Sequence, residues 1–379
     1  MPKLSALLPR AVALASMLLC TAASAETQVI KIGLSGPLTG ANAFAGKDNE
    51  NGVRLAIEEL NAAKAVAVGG KTLRFELLSE DDQGDPKTGV SVAQKFADAG
   101  VKFVLGPYNS GVAIPAARVY NDNSIVMSTV GTNPKVTQGN FRAVFRIVAS
   151  DTQAGAAMAN YAVKQLKVKN VGVIDDRTAF GQGIATEFIR QARASGLSVA
   201  GHEFTTDKAS DFSAVLTALK AKKVEAIFFG GYAAQAAPMV RQMKQLGLSA
   251  MLLGGDTLCS PEMAKLGGDA VGANVLCAQS GALLEKQAAG PAFQAKYQQR
   301  FKRLPDVYAA AFYDQTMFIA KAMGSVNSTD PSVVAVALHT LSHKGVAGTY
   351  AYDEAGNMKA SSVTIYTFKN GVPVPLASN

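Results

Sequence analysis

The 379-residue chain contains no Trp, three His and three Cys, and only 17 % of its residues are charged. Each shortage closes off a class of protein. Three Cys, one of them (Cys20) inside an apolar N-terminal run, supply neither a disulfide scaffold nor a four-ligand zinc module. His202, His339 and His343 leave little material for a His-based metal centre. Long apolar runs are missing beyond the N-terminus, which excludes a polytopic membrane protein. Enzyme signatures are missing too. Glycines at 33, 36 and 40 fail the dinucleotide fingerprint, and the chain has no P-loop and no G-x-S-x-G elbow.

What is present describes a folded, exported chain. Hydrophobic residues make up 48 % and mean hydropathy is +0.13, so a disordered state is excluded. Lys3 and Arg10 precede the apolar stretch Ala11–Leu19, and Ala23-Ser24-Ala25 offers small residues where a signal peptidase reads. The expectation is a secretory signal over 1–25, cleaved after Ala25, and a periplasmic location. Cys20 raises a lipoprotein alternative, but Leu19 stands where a lipobox wants a small residue. The net charge of +8 is scattered, its densest clusters being Lys164, Lys167, Lys169 and Lys220, Lys222, Lys223. Without interleaved aromatics, nucleic-acid binding is not expected.

Apolar β-rich runs alternate with amphipathic segments. Val29–Leu34, Leu73–Leu78, Val101–Leu105 and Ile125–Met127 read as strands, and Val53, Ala56, Ile57 and Leu60 recur at helical spacing. Asp85-Pro86 is a helix start. A second series has strands at Val171–Ile174, Ala226–Phe229 and Met251–Leu253, with helices near 181–195, 210–222 and 233–246. This order predicts an α/β fold: two lobes with mostly parallel sheets covered by helices. Helices near 284–302 and 308–326 follow, and then a β-like tail at Val363–Phe368 closed by Gly371, Pro373 and Pro375, so the lobes are expected to be discontinuous and joined by several crossing segments.

Ligands of open parallel sheets bind beyond the carboxyl ends of the strands. Ser110 lies at one such end, where a helix should begin, and offers a hydroxyl and free N–H groups at the positive dipole end. Thr132 adds a second hydroxyl, and together they suit a carboxylate. The alternative is a helix cap and a turn. Asp256, after Gly254-Gly255, is either a counter-ion for an ammonium group or an N-cap. Phe44, Tyr108, Phe180 and Tyr232 fall in loops at strand ends, as pocket walls or as core. Glu80, Asp81 and Asp82 read as a solvated turn rather than an acid/base pair. His339 and His343 read as one helix face, surface or capping, with no metal expected. Cys259 and Cys277 remain after export, and a bridge across 18 residues or two buried thiols would account for them.

Six stretches together resemble the periplasmic leucine/isoleucine/valine-binding proteins of ABC importers: I-G-L-S-G-P-L-T-G (32–40), E-D-D-Q-G-D-P (80–86), G-P-Y-N-S-G (106–111), D-D-R-T-A-F-G-Q-G (175–183), F-F-G-G-Y (228–232) and G-G-D (254–256). The resemblance runs from about Ile30 to Phe368. It implies two αβα lobes joined by a three-segment hinge, with the ligand enclosed between them. The first lobe would comprise 26–147 and 279–353, the second 148–278 and 354–379. It assigns Ser110 and Thr132 to a ligand carboxylate, the Gly131 carbonyl and Asp256 to its ammonium, and Tyr232 to a ligand contact. Phe44 and Phe180 stand where family members often have Tyr, and Tyr108 where the side-chain pocket has an aliphatic residue. No cofactor is implied. The implied partners are an amino acid, most naturally branched-chain, and an inner-membrane ABC permease, with the receptor a monomer. Receptors for aromatic acids, amides or urea, and sensor partners of membrane kinases, are the alternative within the same fold.

Overall fold

The computed structural model describes residues 26–281 and 283–378; the leader expected over 1–25 lies outside the described residues. The chain first builds β1 (Thr27–Gly36), α1 (Ala43–Ala63), β2 (Ala67–Val68), β3 (Lys71–Asp81), α2 (Pro86–Asp98), β4 (Phe103–Leu105), α3 (Ser110–Asp122), β5 (Val126–Thr129) and β6 (Val144–Arg146). These strands form a six-stranded sheet in the order β2-β3-β1-β4-β5-β6, parallel except for β2. The neighbours of β1 are β3 on one side and β4 on the other, so the winding reverses there. That reversal opens a crevice at the carboxyl ends of β1 and β4.

The second series is α4 (Asp151–Lys164), β7 (Asn170–Asp175), α5 (Ala179–Ala194), β8 (Ser198–Phe204), α6 (Ser213–Ala221), β9 (Ala226–Gly230), α7 (Ala233–Gln245), β10 (Met251–Gly254), α8 (Pro261–Gly267) and β11 (Val275–Ser280). After it come α9 (Gly290–Phe301), α10 (Ala309–Val326), α11 (Pro331–Thr340) and the short ribbon β12 (His343–Lys344) and β13 (Thr349–Tyr350). The chain ends in β14 (Val363–Lys369) and β15 (Val372–Ser378). The second sheet runs β15-β14-β11-β10-β9-β7-β8, with β7 to β11 parallel and the last two strands antiparallel. Its winding reverses between β7 and β9, which points a second crevice at the first.

The expected α/β fold with two mostly parallel sheets is what forms. The chain leaves the first sheet after β6, returns after β11 to pack α10 on α1, and crosses again into β14, giving three crossings. Asp48 of α1 explains why the returning segment docks where it does. Its buried carboxylate accepts from the Tyr297 hydroxyl at 2.7 Å and from the Asp306 and Ala309 N–H groups at 3.0 and 3.2 Å. Burial, with Asp306 close by, pushes its pKa up to about 7.

Three expectations fail. His343 is not on a helix with His339: α11 stops at Thr340 and His343 opens β12, while His339 bonds the carbonyls of Asp353 and Arg142 at 2.8 and 2.9 Å. The acidic stretch is not a solvated turn. Asp82 is fully buried, bonded to the Ser35 hydroxyl at 2.8 Å and the Gly84 N–H at 2.9 Å, and burial raises it to about 6. The Pro-rich tail does not end the sheet, because Pro373 and Pro375 sit in β15 at its edge, where missing N–H donors are tolerated.

Cys259 and Cys277 are joined by a disulfide, Cα to Cα 5.4 Å, tying the segment after β10 to β11. Replacing both by Ser is expected to cost about 3 kcal/mol for a loop of this length. An unchanged urea midpoint would contradict that.

Candidate ligand-binding site between the lobes

The crevice walls are the segments that follow β1, β4, β5, β7, β9 and β10. Gly106 turns the chain after β4 at φ +103, with its Cα packed so tightly on the Ser35 carbonyl that a Cβ would collide with it. That turn delivers Tyr108 and Ser110. Ser110 is the first residue of α3 rather than its cap; Asn109 holds the cap position and makes no capping bond with its side chain. The helix therefore presents its positive end beside a buried hydroxyl, an arrangement suited to an anion. The Ser110 Oγ accepts from the Asn133 N–H at 3.2 Å, which places it beside Thr132.

The loop 131–137 is organised by Arg146, a residue that carries no local sequence signal. Its guanidinium is buried and donates to the carbonyls of Gly131 at 3.0 Å and Asn133 at 2.8 Å. It also donates to the Thr137 hydroxyl at 2.8 Å and the Asn357 side-chain oxygen at 3.1 Å. Burial lowers its pKa to about 10. The Gly131 carbonyl thus already serves one donor and keeps one lone pair.

From the second lobe, Asp256 opens a short 3-10 turn after β10 and is 3 % exposed. Its side chain accepts from the Thr257 N–H at 2.9 Å, and burial pushes its pKa up to about 7. Tyr232 sits at the cap position of α7, also without a capping bond. Its ring lies 5.3 Å from Phe180 and 6.1 Å from Tyr108 of the first lobe, so the three aromatics meet across the crevice. Phe44 is set apart from this group, on a small recess it shares with Tyr108.

Two further carboxylates stand here that sequence reasoning missed. Asp151, the first residue of α4, is fully buried and neither of its oxygens has a hydrogen-bond partner among the described residues. Burial raises it to about 8, with the Thr132 hydroxyl and Asp256 both close enough to influence it. Asp176 leaves one oxygen unpartnered among the described residues and is raised by burial to about 6. In the sequence Asp151 reads as an acidic residue favoured in a first helical turn, which hid it. The lobes also touch directly. The Asn133 amide donates to the Ala179 carbonyl at 2.6 Å, and Ser260 to Asp306 at 2.7 Å. Gly183 lets Asn133 and Asp151 approach where any Cβ would collide with both.

The site is therefore bipolar. One wall holds a helix N-terminus with Ser110 and Thr132, with Asp151 beside Thr132; the other face carries the buried carboxylates Asp256 and Asp176. Such a cleft matches a small molecule with a carboxylate at one end and an ammonium at the other. Two crevices facing each other at strand carboxyl ends, joined by crossing segments, define a two-lobed solute-binding protein. The chain matches the periplasmic binding protein family over residues 29–372 and belongs to it. Among its relatives, Leu/Ile/Val-binding protein homolog 1 of Brucella abortus is 34 % identical over 344 residues, covering 90 % of this chain and 91 % of that one. The leucine-, isoleucine-, valine-, threonine-, and alanine-binding protein of Pseudomonas aeruginosa is 31 % identical over 344 residues, covering 90 % and 91 %. The crystal structure of a leucine-binding protein of Thermotoga maritima superimposes with a TM-score of 0.85 at 28 % identity, covering 92 % of this chain and 98 % of that one.

Proposed function

We propose that this chain is the periplasmic receptor of an ABC importer, which captures an amino acid of the branched-chain class between its lobes and hands it to a membrane permease. Ser110, the Thr132 N–H and hydroxyl, and the uncapped end of α3 receive the ligand carboxylate. Asp256 neutralises the ammonium, with the free lone pair of the Gly131 carbonyl as a second acceptor. Tyr232, Phe180, Tyr108 and Phe44 surround the remainder of the ligand. Residues 26–147 and 279–353 close on residues 148–278 and 354–379, after a leader is removed behind Ala25, and the receptor acts as a monomer.

The observation that carries this reading is the pairing, in one crevice, of an uncapped helix N-terminus with the buried, nearly partnerless Asp256. A bare carboxylic acid satisfies only half of it. The names of the relatives put leucine, isoleucine and valine first among the zwitterions to test. Protein stripped of ligand by unfolding and refolded is expected to gain about 2.7 kcal/mol of stability from a ligand at 100 times its Kd, visible as a thermal shift. No shift with any amino acid would overturn the reading.

Capture is expected to depend on pH in a fixed direction. Asp256 faces an ammonium only when ionised, and its carboxyl stands at about 7 in the closed cleft. Affinity therefore rises with pH between 5.5 and 8, by about tenfold or more, and binding near pH 7 releases a proton. Stability of the ligand-free protein runs the other way. A carboxyl raised on folding contributes less stability as pH climbs from about 4 to 7, because the unfolded chain gives up its proton first. Calorimetry in two buffers of different ionisation enthalpy reads the proton release; a flat affinity profile would contradict the role of Asp256.

A further inference from the structure

Beside the clamp, between α1 and the segment leading into α10, lies a recess of about 10 Å³, room for a single water-sized group. Tyr108 forms one wall, its ring 6.1 Å from Tyr232 on the clamp side and 6.2 Å from Tyr308 on the other. Thr257, next to Asp256, also borders it, which sets the recess beside the clamp.

Its lining is not what a branched aliphatic side chain calls for. Phe44 and Val307 contribute apolar surface, but Asp48, Asn49, Ser260, Asp306 and Tyr308 are there too. The carboxylates have their donors: Asp48 takes Tyr297 and two backbone N–H groups, and Asp306 takes Ser260 at 2.7 Å and the Val307 N–H at 2.8 Å. Two groups are left over. The Asn49 amide nitrogen and the Tyr308 hydroxyl, on side chains 3 % and 4 % exposed, have no hydrogen-bond partner among the described residues. A buried polar group without a partner costs about 1–3 kcal/mol, so a ligand that supplies one recovers that cost.

From this juxtaposition we infer that the receptor selects an amino acid with a short side chain bearing a hydroxyl, over the branched aliphatic isostere. The hydroxyl accepts from the Asn49 amide and exchanges a hydrogen bond with Tyr308; the recess has no room for the four carbons of leucine. Tyr108, replacing the aliphatic residue of the resemblance, is what shortens the compartment. The inference rests on the zwitterion clamp alone and replaces the aliphatic side chain of the proposed ligand with a hydroxyl-bearing one, so that threonine against valine decides between them.

Threonine and valine are nearly isosteric and differ at one group, which makes them the probes. A site that hydrogen-bonds a ligand hydroxyl rejects the analogue lacking it far more sharply than an apolar pocket separates the two. Calorimetry on the ligand-stripped full mature chain is expected to give threonine at least about tenfold tighter than valine, and serine tighter than leucine. Tyr308→Phe is expected to bring the threonine-to-valine ratio towards one, and Asn49→Leu does the same independently should the first variant fail to fold. Valine equal to or tighter than threonine overturns the inference while leaving the clamp standing. A ratio preserved in both variants overturns the assignment to this recess. Binding of neither amino acid, nor of alanine, removes the clamp reading itself and this inference with it.

Discussion

Asp256→Ala is expected to weaken amino-acid binding by about 3–5 kcal/mol, roughly two to three and a half decades in Kd. The magnitude follows from burial. Asp256 is 3 % exposed and, among the described residues, its carboxylate takes its hydrogen bond from the neighbouring Thr257 N–H, which leaves it able to receive an ammonium group that closure takes out of water. Without the carboxylate, that ammonium is enclosed with an incomplete set of acceptors, and an uncompensated buried charge carries the larger part of the penalty. Asp151 sharpens the test. It stands close enough to Asp256 to raise its own pKa, and neither of its oxygens has a partner among the described residues, so it offers partial compensation. The loss in Asp256→Ala should therefore exceed that in Asp151→Asn, and the double variant should lose more than either. A loss under threefold in Asp256→Ala, read by calorimetry, would remove Asp256 from the site.

Arg146→Met is expected to destabilise the protein by about 3–5 kcal/mol and to weaken the ligand as well. Arg146 gathers the carbonyls of Gly131 and Asn133, the Thr137 hydroxyl and the Asn357 side chain around one buried guanidinium. An apolar replacement of similar length leaves these acceptors buried without donors, each at a cost of about 1–3 kcal/mol. Arg146→Lys keeps the charge but not the fork, and a single ammonium cannot reach acceptors spread around the edge of a planar guanidinium. It should recover less than half of the loss. Because Asn357 lies on the third crossing segment, loosening this cluster also loosens the join between the lobes. Urea unfolding compared with ligand affinity separates the two effects; a Met variant with unchanged midpoint and affinity would show that Arg146 organises nothing.

The fold was legible because its signals are local and repeated. Apolar runs of β-branched residues alternating with helical spacing define a wound sheet whichever side chains fill it, and the first and second series appear within a few residues of where the strands lie. The strand-end positions of Ser110, Thr132, Tyr232 and Asp256 were legible for the same reason, since topology fixes where loops meet. What stayed hidden depends on contacts distant in sequence. Arg146 reads as the end of a strand and becomes an organiser only when Asn357 returns to it. Asp151 reads as a helix-start residue and becomes a cleft carboxylate only because Gly183 of α5, lacking a side chain, lets the start of α4 pack against it. Asp82 looks solvated because its neighbours are acidic, yet Ser35 and Gly84 hold it inside. His343 was misplaced by a spacing that ignored the end of α11 at Thr340.

The most direct test of two-ended capture uses leucine, isoleucine, valine and threonine, each beside its des-amino acid and its carboxamide, titrated into ligand-stripped protein. The account predicts that the best amino acid loses at least about a hundredfold on removal of its ammonium, which leaves Asp256 unpaired, and again on masking of its carboxylate, which sets an amide NH2 against the hydroxyls and N–H donors at the start of α3. A des-amino acid that binds as tightly as its parent would contradict it.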